Sequence, residues 1–94
     1  LQADTSPTIT FKVQVAASSD RIPKDSEYFK GHENVQEHHL GSRYKYTLGS
    51  FENYDQARAF KKKVRKDFPG AFIVAFKNEQ TIPVKKALSE TNQQ

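Results

Sequence analysis

The apolar residues between positions 43 and 68 follow two periods, the first typical of a strand and the second of a helix. The strand is predicted over Arg43–Leu48, where apolar and polar side chains alternate. The helix is predicted over Asn53–Phe68, with Asn53 as its N-cap. Its apolar side chains recur at steps of three and four residues. They are Ala57, Phe60, Val64 and Phe68. Pro69-Gly70 should end the helix.

Three further stretches have strand character. Thr8–Ala16 alternates apolar with polar residues, as a half-buried antiparallel strand does. Val35–Leu40 is predicted as the second strand, and Gly41-Ser42 after it as a two-residue hairpin turn. Ala71–Lys77 is predicted as the last strand. The hairpin sets a register that pairs Leu40 with Arg43, His39 with Tyr44 and His38 with Lys45.

Two shorter helical segments complete the prediction. The first, around Lys24–Phe29, should be short or irregular because Pro23 and Gly31 bound it. Three apolar side chains near this segment should cover the sheet, namely Ile22, Tyr28 and Phe29. The second is a brief helix over Thr81–Glu90, with Pro83 at its first position. Residues 1–7 are interpreted as a linker stub, 8–90 as the domain and 91–94 as a disordered tail.

This order of elements predicts an α+β fold. The expected arrangement is a four-stranded antiparallel sheet with helices on one face, in the βαββαβ order of ferredoxin-like and RNP-like folds. The helix-facing side should be formed by Phe11, Val13, Val15, Tyr46, Leu48 and Val74. The open side should carry Lys12, Gln14 and Ala16, then Gln36, His38 and Leu40, then Arg43, Lys45 and Thr47, and finally Ala71, Ile73 and Ala75.

The composition fits one small domain with an aromatic core, since the 94 residues include seven Phe and four Tyr. The net charge of +4 permits an anionic partner without requiring one. Most of this charge lies in the run Lys61–Lys66, which we interpret as a solvated helix face. No apolar run approaches the roughly 20 residues of a membrane span, so no membrane partner is expected. The chain opens on Leu1, and we expect a monomeric domain of a longer protein.

Catalytic and metal chemistry find no support in the sequence. There is no Cys, and no Ser lies in a G-x-S-x-G context. His32, His38 and His39 lie near Glu33 and Glu37 but do not form H-E-x-x-H. Adjacent strand residues point to opposite faces, so His38 and His39 should not share a ligand. We therefore predict a non-catalytic domain without metal or cofactor.

Three stretches together resemble the SPOR domain, a small peptidoglycan-binding module of bacterial cell-envelope proteins. YKYTLGSFENYDQA resembles the family's strand-turn-helix signature, and FKVQVAASS resembles its first strand. AFIVAFKNEQTI resembles its last strand, in the variety appended to cell-wall amidases. In that family the open sheet face contacts glycan. Gln14, Lys45 and Ile73 match positions attributed to this contact, whereas Ala17 stands where the family usually has Ser.

The resemblance implies a module that binds peptidoglycan glycan strands, of the kind that recognises strands stripped of their stem peptides. Such a module would target an attached protein, for example a peptidoglycan amidase, to the division septum in the bacterial envelope or periplasm. The expected glycan-binding residues are Gln14, Lys12, Arg43, Lys45, Thr47 and Ile73.

The sequence leaves two alternatives open, RNA recognition and a protein-interaction module. The predicted strand order is also that of the RNA-recognition fold, and Tyr44 and Tyr46 occupy two aromatic positions of its RNP1 strand. RNA binding would require these tyrosines to be exposed. Leu48 shares their face and should be buried, which favours glycan over nucleic acid as the partner.

Overall fold

The computed structural model describes residues 9–78 and 80–91 of the chain. The elements are β1 (Ile9–Ser18), a 3-10 turn (Glu27–Phe29), β2 (Gln36–Leu40), β3 (Arg43–Phe51), α1 (Tyr54–Val64), β4 (Phe72–Lys77), β5 (Gln80–Ile82) and α2 (Val84–Thr91). The predicted linker stub and residues 92–94 of the predicted tail lie outside the described residues. Thr91 is the last residue of α2.

The strands form one antiparallel sheet in the order β2-β3-β1-β4-β5. Both helices pack on the same side, because Ala57 of α1 and Ala87 of α2 share a buried cluster with Phe11. The predicted α+β class and antiparallel sheet are confirmed, but the predicted count of four strands is wrong. The fifth strand, Gln80–Ile82, pairs with β4. A strand of only three residues is too short to show an alternating pattern.

The helix α1 begins where its cap predicts and ends earlier than its apolar stripe predicts. Asn53 Oδ1 accepts hydrogen bonds from the backbone N–H groups of Asp55, at 2.8 Å, and Gln56, at 3.3 Å. The regular helix stops at Val64. Phe68 lies beyond it in a turn, where its N–H donates to the Val64 carbonyl. Its ring is nevertheless buried in the core.

The segment between β1 and β2 is short and irregular, as predicted. Phe29 is fully buried, and Ile22 packs against the core. Tyr28 is the exception, because about half of it is exposed. A polar network fixes this segment to the sheet: the buried Tyr46 hydroxyl donates to Glu37 at 3.0 Å and accepts from the Ile22 N–H at 2.7 Å. Arg21 binds the same Glu37 carboxylate with three short contacts.

The first of two bulges between β1 and β3 places an extra residue on β3. Between the pairs Phe11–Phe51 and Val13–Leu48, β1 advances by two residues and β3 by three. Gly49 lies in this bulge with φ +77°, in the left-handed region. A Cβ at Gly49 would lie 2.6 Å from the Phe51 ring. Only glycine fits this position without rearrangement.

The second bulge places the extra residue on β1. Between the pairs Gln14–Thr47 and Ala16–Tyr46, β1 advances by two residues and β3 by one. Val15 is the inserted residue, and Ala16 turns to the helix-facing side, where it joins the core with Tyr46. The prediction that Ala16 lies on the open side is therefore wrong. A bulge reverses the alternation beyond it.

The predicted orientation of β4 is wrong by one residue. Ile73 pairs with Val13, and Ala75 with Phe11, so both lie on the helix-facing side. Val74 pairs with Lys12 and lies on the opposite side. The prediction had Val74 facing the helices. It also placed Ala71, Ile73 and Ala75 on the open side, whereas all three pack into the core on the helix-facing side.

Two glycine substitutions test the first bulge. Gly41→Ala places a side chain at φ +64° with no atom within 4 Å of its Cβ, so it should cost about 1–2 kcal/mol. Gly49→Ala carries the same backbone cost and must also displace the Phe51 and Phe60 rings. We expect it to cost about 1–3 kcal/mol more. Urea unfolding followed by circular dichroism measures both, and equal costs would contradict the proposed clash.

Candidate functional sites

The sheet curls so strongly that its two sides have different shapes. The rings of His38 on β2 and Phe76 on β4 lie 4.6 Å apart, although β3 and β1 separate their strands. In a flat sheet these strands would lie about 14 Å apart. The side opposite the helices is therefore concave, and we call it the concave side. The predicted open face is partly closed, since Thr47 is 0% and Phe76 4% exposed.

A first cleft lies on the concave side where β2 meets β4, and we call it the Lys12 cleft. It has a volume of about 460 Å³. Lys12 Nζ donates to Gln36 Oε1 at 2.7 Å and lies 5.2 Å from the centre of the Phe76 ring. His38 Nε2 lies 2.9 Å from Thr47 Oγ1. The residues that line the cleft include Thr10, Lys12, His38, Leu40, Phe76 and Asn78.

Burial changes the pKa values of two basic groups in this cleft. It lowers the pKa of the Lys12 ammonium. It also lowers the pKa of His38 below its ordinary 6.5, and the nearby positive charge of Lys12 lowers it further. Lys45, on β3, pairs directly with His38 in the sheet and adds a third basic group to this side. Because the pKa of His38 is lowered from 6.5, the neutral form of its imidazole predominates at pH 7.

A second cleft, of about 680 Å³, lies beyond the first residue of β4, Phe72. β4 pairs with β1 only as far as Gln14, whereas β1 continues to Ser18. Tyr28 and Phe72 both border this opening, and each is 49% exposed. We call it the Tyr28–Phe72 cleft. Its polar lining residues are Gln14, Glu27, Lys30 and Asp67.

The structure distributes the predicted glycan-binding residues over several places. Gln14, 8% exposed, borders the Tyr28–Phe72 cleft, and Lys12 borders the other cleft. Thr47 is fully buried beneath His38. Ile73 packs with the helix-side core and cannot contact a ligand on the concave side. The remaining two lie on β3, Arg43 exposed and Lys45 partly exposed.

Sequence reasoning missed the two aromatic residues of the second cleft. The sequence predicts that Tyr28 covers the sheet, and placing Val74 on the helix-facing side puts Phe72, two residues before it, on that side as well. Phe72 lies two residues after the helix-ending Pro69-Gly70 turn, within the apolar run of residues 71–76. Its orientation depends on pairing with Gln14, which the local pattern does not reveal.

The tyrosines of β3 do not provide stacking surfaces of the RNA-recognition kind. Tyr46 is 0% exposed within the core. Tyr44 packs against that core and stacks on His39, with ring centres 4.3 Å apart. This finding removes the aromatic platform on which the nucleic-acid interpretation rested.

Within residues 9–78 and 80–91, no group of three or more His, Cys, Asp or Glu side chains could hold a metal ion. Neither helix of this part of the chain is long and apolar enough to cross a membrane. The chain matches no family model, no curated protein and no solved structure.

The pKa of His38 should make stability depend on pH. Because the folded-state pKa of His38 is lowered, there is a pH window, with its upper limit at about 6.5, in which the unfolded chain binds a proton that the folded chain does not. This contribution should be complete above about pH 6.5 and be lost as the pH falls through the window. Urea unfolding at stepped pH should show the wild type losing more stability on acidification than His38→Gln.

His39→Gln is the matched control, since His39 is exposed and stacks on Tyr44. Hydrogen bonds from Arg21 and Lys77 lower the pKa values of the Glu37 and Glu90 carboxylates below 4.5, and both carboxylates are present in the wild type and in the two variants. Parallel pH profiles for the wild type and His38→Gln would show that the prediction is wrong.

Proposed function

We propose that this domain is a non-catalytic glycan-binding module whose ligand binds in the Tyr28–Phe72 cleft. One observation carries the proposal. The two large hydrophobic side chains that are most exposed among the described residues border the same cleft, beside the Gln14 that the sequence resemblance assigns to glycan contact. Exposed apolar groups clustered around a concavity are typical of a binding site.

The chemistry of the cleft suits a sugar. A pyranose ring presents an apolar C–H face and a rim of hydroxyl groups, so it needs both a flat apolar partner and groups that donate and accept hydrogen bonds. Tyr28 and Phe72 supply the aromatic surfaces. The Gln14 amide can both donate and accept, the carboxylates of Glu27 and Asp67 accept from hydroxyls, and Lys30 donates.

Tyr28 is held in place before any ligand binds. Its hydroxyl donates to the Val15 carbonyl at 3.2 Å. Its ring lies 5.4 Å from that of Phe29 and 6.0 Å from that of Phe68, measured between centres. A side chain fixed in this way loses little conformational entropy when a ligand binds, which favours affinity.

The identity of the glycan rests on the sequence resemblance. We propose peptidoglycan glycan strands, in particular strands without stem peptides, and a role in bringing an attached cell-wall enzyme to the division septum of the bacterial envelope. The β3 cations, exposed Arg43 and partly exposed Lys45, would contribute hydrogen bonds to a glycan strand that extends along the concave side.

Phe72→Ala tests the cleft. Phe72 is half-exposed, so its truncation should change the melting temperature little. If the ring stacks on a sugar, binding to purified sacculi should weaken by about tenfold or more, the loss typical of a central aromatic contact. Co-sedimentation with intact and amidase-treated sacculi measures this, and the treated sacculi should bind more of the protein.

Phe72→Tyr is the matched control, because it keeps the ring and should keep the binding. Tyr28→Ala should weaken binding in the same way as Phe72→Ala. If a folded Phe72→Ala/Tyr28→Ala double variant binds sacculi like the wild type, the glycan does not use this cleft. If the wild type does not bind sacculi at all, the proposed ligand is wrong.

A separate prediction concerns basic residues of α1 and of the turn that follows it. Lys62, Lys63 and Lys66 are exposed on the helix layer, which covers the side of the sheet opposite the concave side. Converting all three to Ala should leave sacculus binding nearly unchanged, although it removes three positive charges. A loss as large as that of Phe72→Ala would mean that general electrostatic attraction, which salt screens, drives the binding.

A further inference from the structure

We infer that the Lys12 cleft is a second binding site, distinct from the proposed glycan cleft, and that it takes an oxyanion group, either a carboxylate or a phosphate. The inference starts from an ammonium group without an anionic partner. Among residues 9–78 and 80–91, Lys12 forms no ion pair. Its contacts are the neutral Gln36 amide and the face of the Phe76 ring. A partly buried charge is costly unless it is paired, so Lys12 Nζ has capacity for an anion.

Three other polar groups around the cleft can donate hydrogen bonds to an oxyanion. Thr10 contributes a hydroxyl, Asn78 a side-chain amide and His38 an imidazole. The volume of about 460 Å³ can hold a carboxylate or phosphate together with part of the molecule that carries it. Leu40 and Phe76 supply apolar wall for that remaining part.

One carboxylate borders the cleft but does not neutralise it. Glu37 is among the lining residues, yet its side chain lies on the helix-facing side, because it pairs with Tyr46. There its carboxylate accepts from the Tyr46 hydroxyl and forms a 3.0 Å ion pair with Arg21. The charge of Glu37 is therefore already engaged away from Lys12.

The charge balance of the cleft agrees with this geometry. The pKa of Lys12 is lowered by burial, and that of His38 by burial and by the charge of Lys12. A bound anion would favour the protonated form of both groups and raise both pKa values. Lys45, paired with His38 across β2 and β3, would add to the attraction. His39 also borders the cleft, but its ring stacks on Tyr44 on the helix-facing side.

The test is an NMR titration of the wild-type protein with sodium phosphate and, separately, sodium acetate, with sodium chloride keeping the ionic strength constant. We expect saturable shifts with at least one anion in the millimolar range, largest at Lys12, His38, Thr10 and Asn78. The pKa of His38, followed on its ring protons, should rise in the presence of that anion. A response to one anion alone identifies which oxyanion the site prefers.

Lys12→Met keeps a chain of similar length and removes the charge. It should weaken anion binding by at least about tenfold, as the loss of a charge-assisted hydrogen bond implies. Lys45→Met is the matched control, since Lys45 lies on the same side but does not line the cleft, and it should weaken binding less. The wild-type shift map answers the question even if Lys12→Met fails to fold.

Shifts that do not saturate with either anion, or that centre away from the cleft, would overturn the inference. So would equal binding by the wild type and Lys12→Met. The result is independent of the proposed glycan function. Sacculus binding that is lost in Phe72→Ala but kept in Lys12→Met would support two separate sites.

Discussion

The structure depends on how β1 and β3 remain paired while the sheet curls. Two bulges of opposite sense make this possible, since the extra residue at Gly49 on β3 is offset by the extra Val15 on β1. Bulges increase local twist and bend the strand. The bend brings β2 over the concave side until His38 meets Phe76. Without this bend, Lys12 would lie on an open sheet, and neither the contact between His38 and Phe76 nor the Lys12 cleft would form.

The parts of the fold that the sequence predicts well are those encoded by neighbouring residues. The Gly41-Ser42 turn sets its own register, so the pairs of the β2–β3 hairpin are confirmed. The Asn53 cap similarly determines where α1 starts. The orientation of β4 is different, because residues 71–76 are apolar at every position. Such a run has no alternation that distinguishes its two faces, and only the pairing with β1 decides between them.

The candidate sites also combine features that the local sequence predicts with features that only the tertiary structure decides. Gln14 and Lys12 lie on an alternating strand before the second bulge, and their side of the sheet is predicted correctly. Their separation into two clefts was not predictable, because it results from curvature and from the shorter reach of β4. Thr47 illustrates the difference: its side is correct, but the curl buries it beneath His38. Pattern reasoning assigns a face, whereas accessibility depends on long-range geometry.

The two clefts differ in the kind of group that is placed unfavourably, exposed apolar surface in one and a partly buried charge in the other. At the Tyr28–Phe72 cleft, apolar surface remains exposed to water, at a cost of about 25 cal/mol for each Å² left unburied. At the Lys12 cleft, a charge is partly removed from water without an ionic partner among the described residues. Even a buried ion pair can often be replaced by hydrophobic residues of similar volume without loss of stability. The hydrogen bond to Gln36 and the contact with the Phe76 ring leave the positive charge of Lys12 without an ionic partner among the described residues, and a ligand with negative charge would supply that partner.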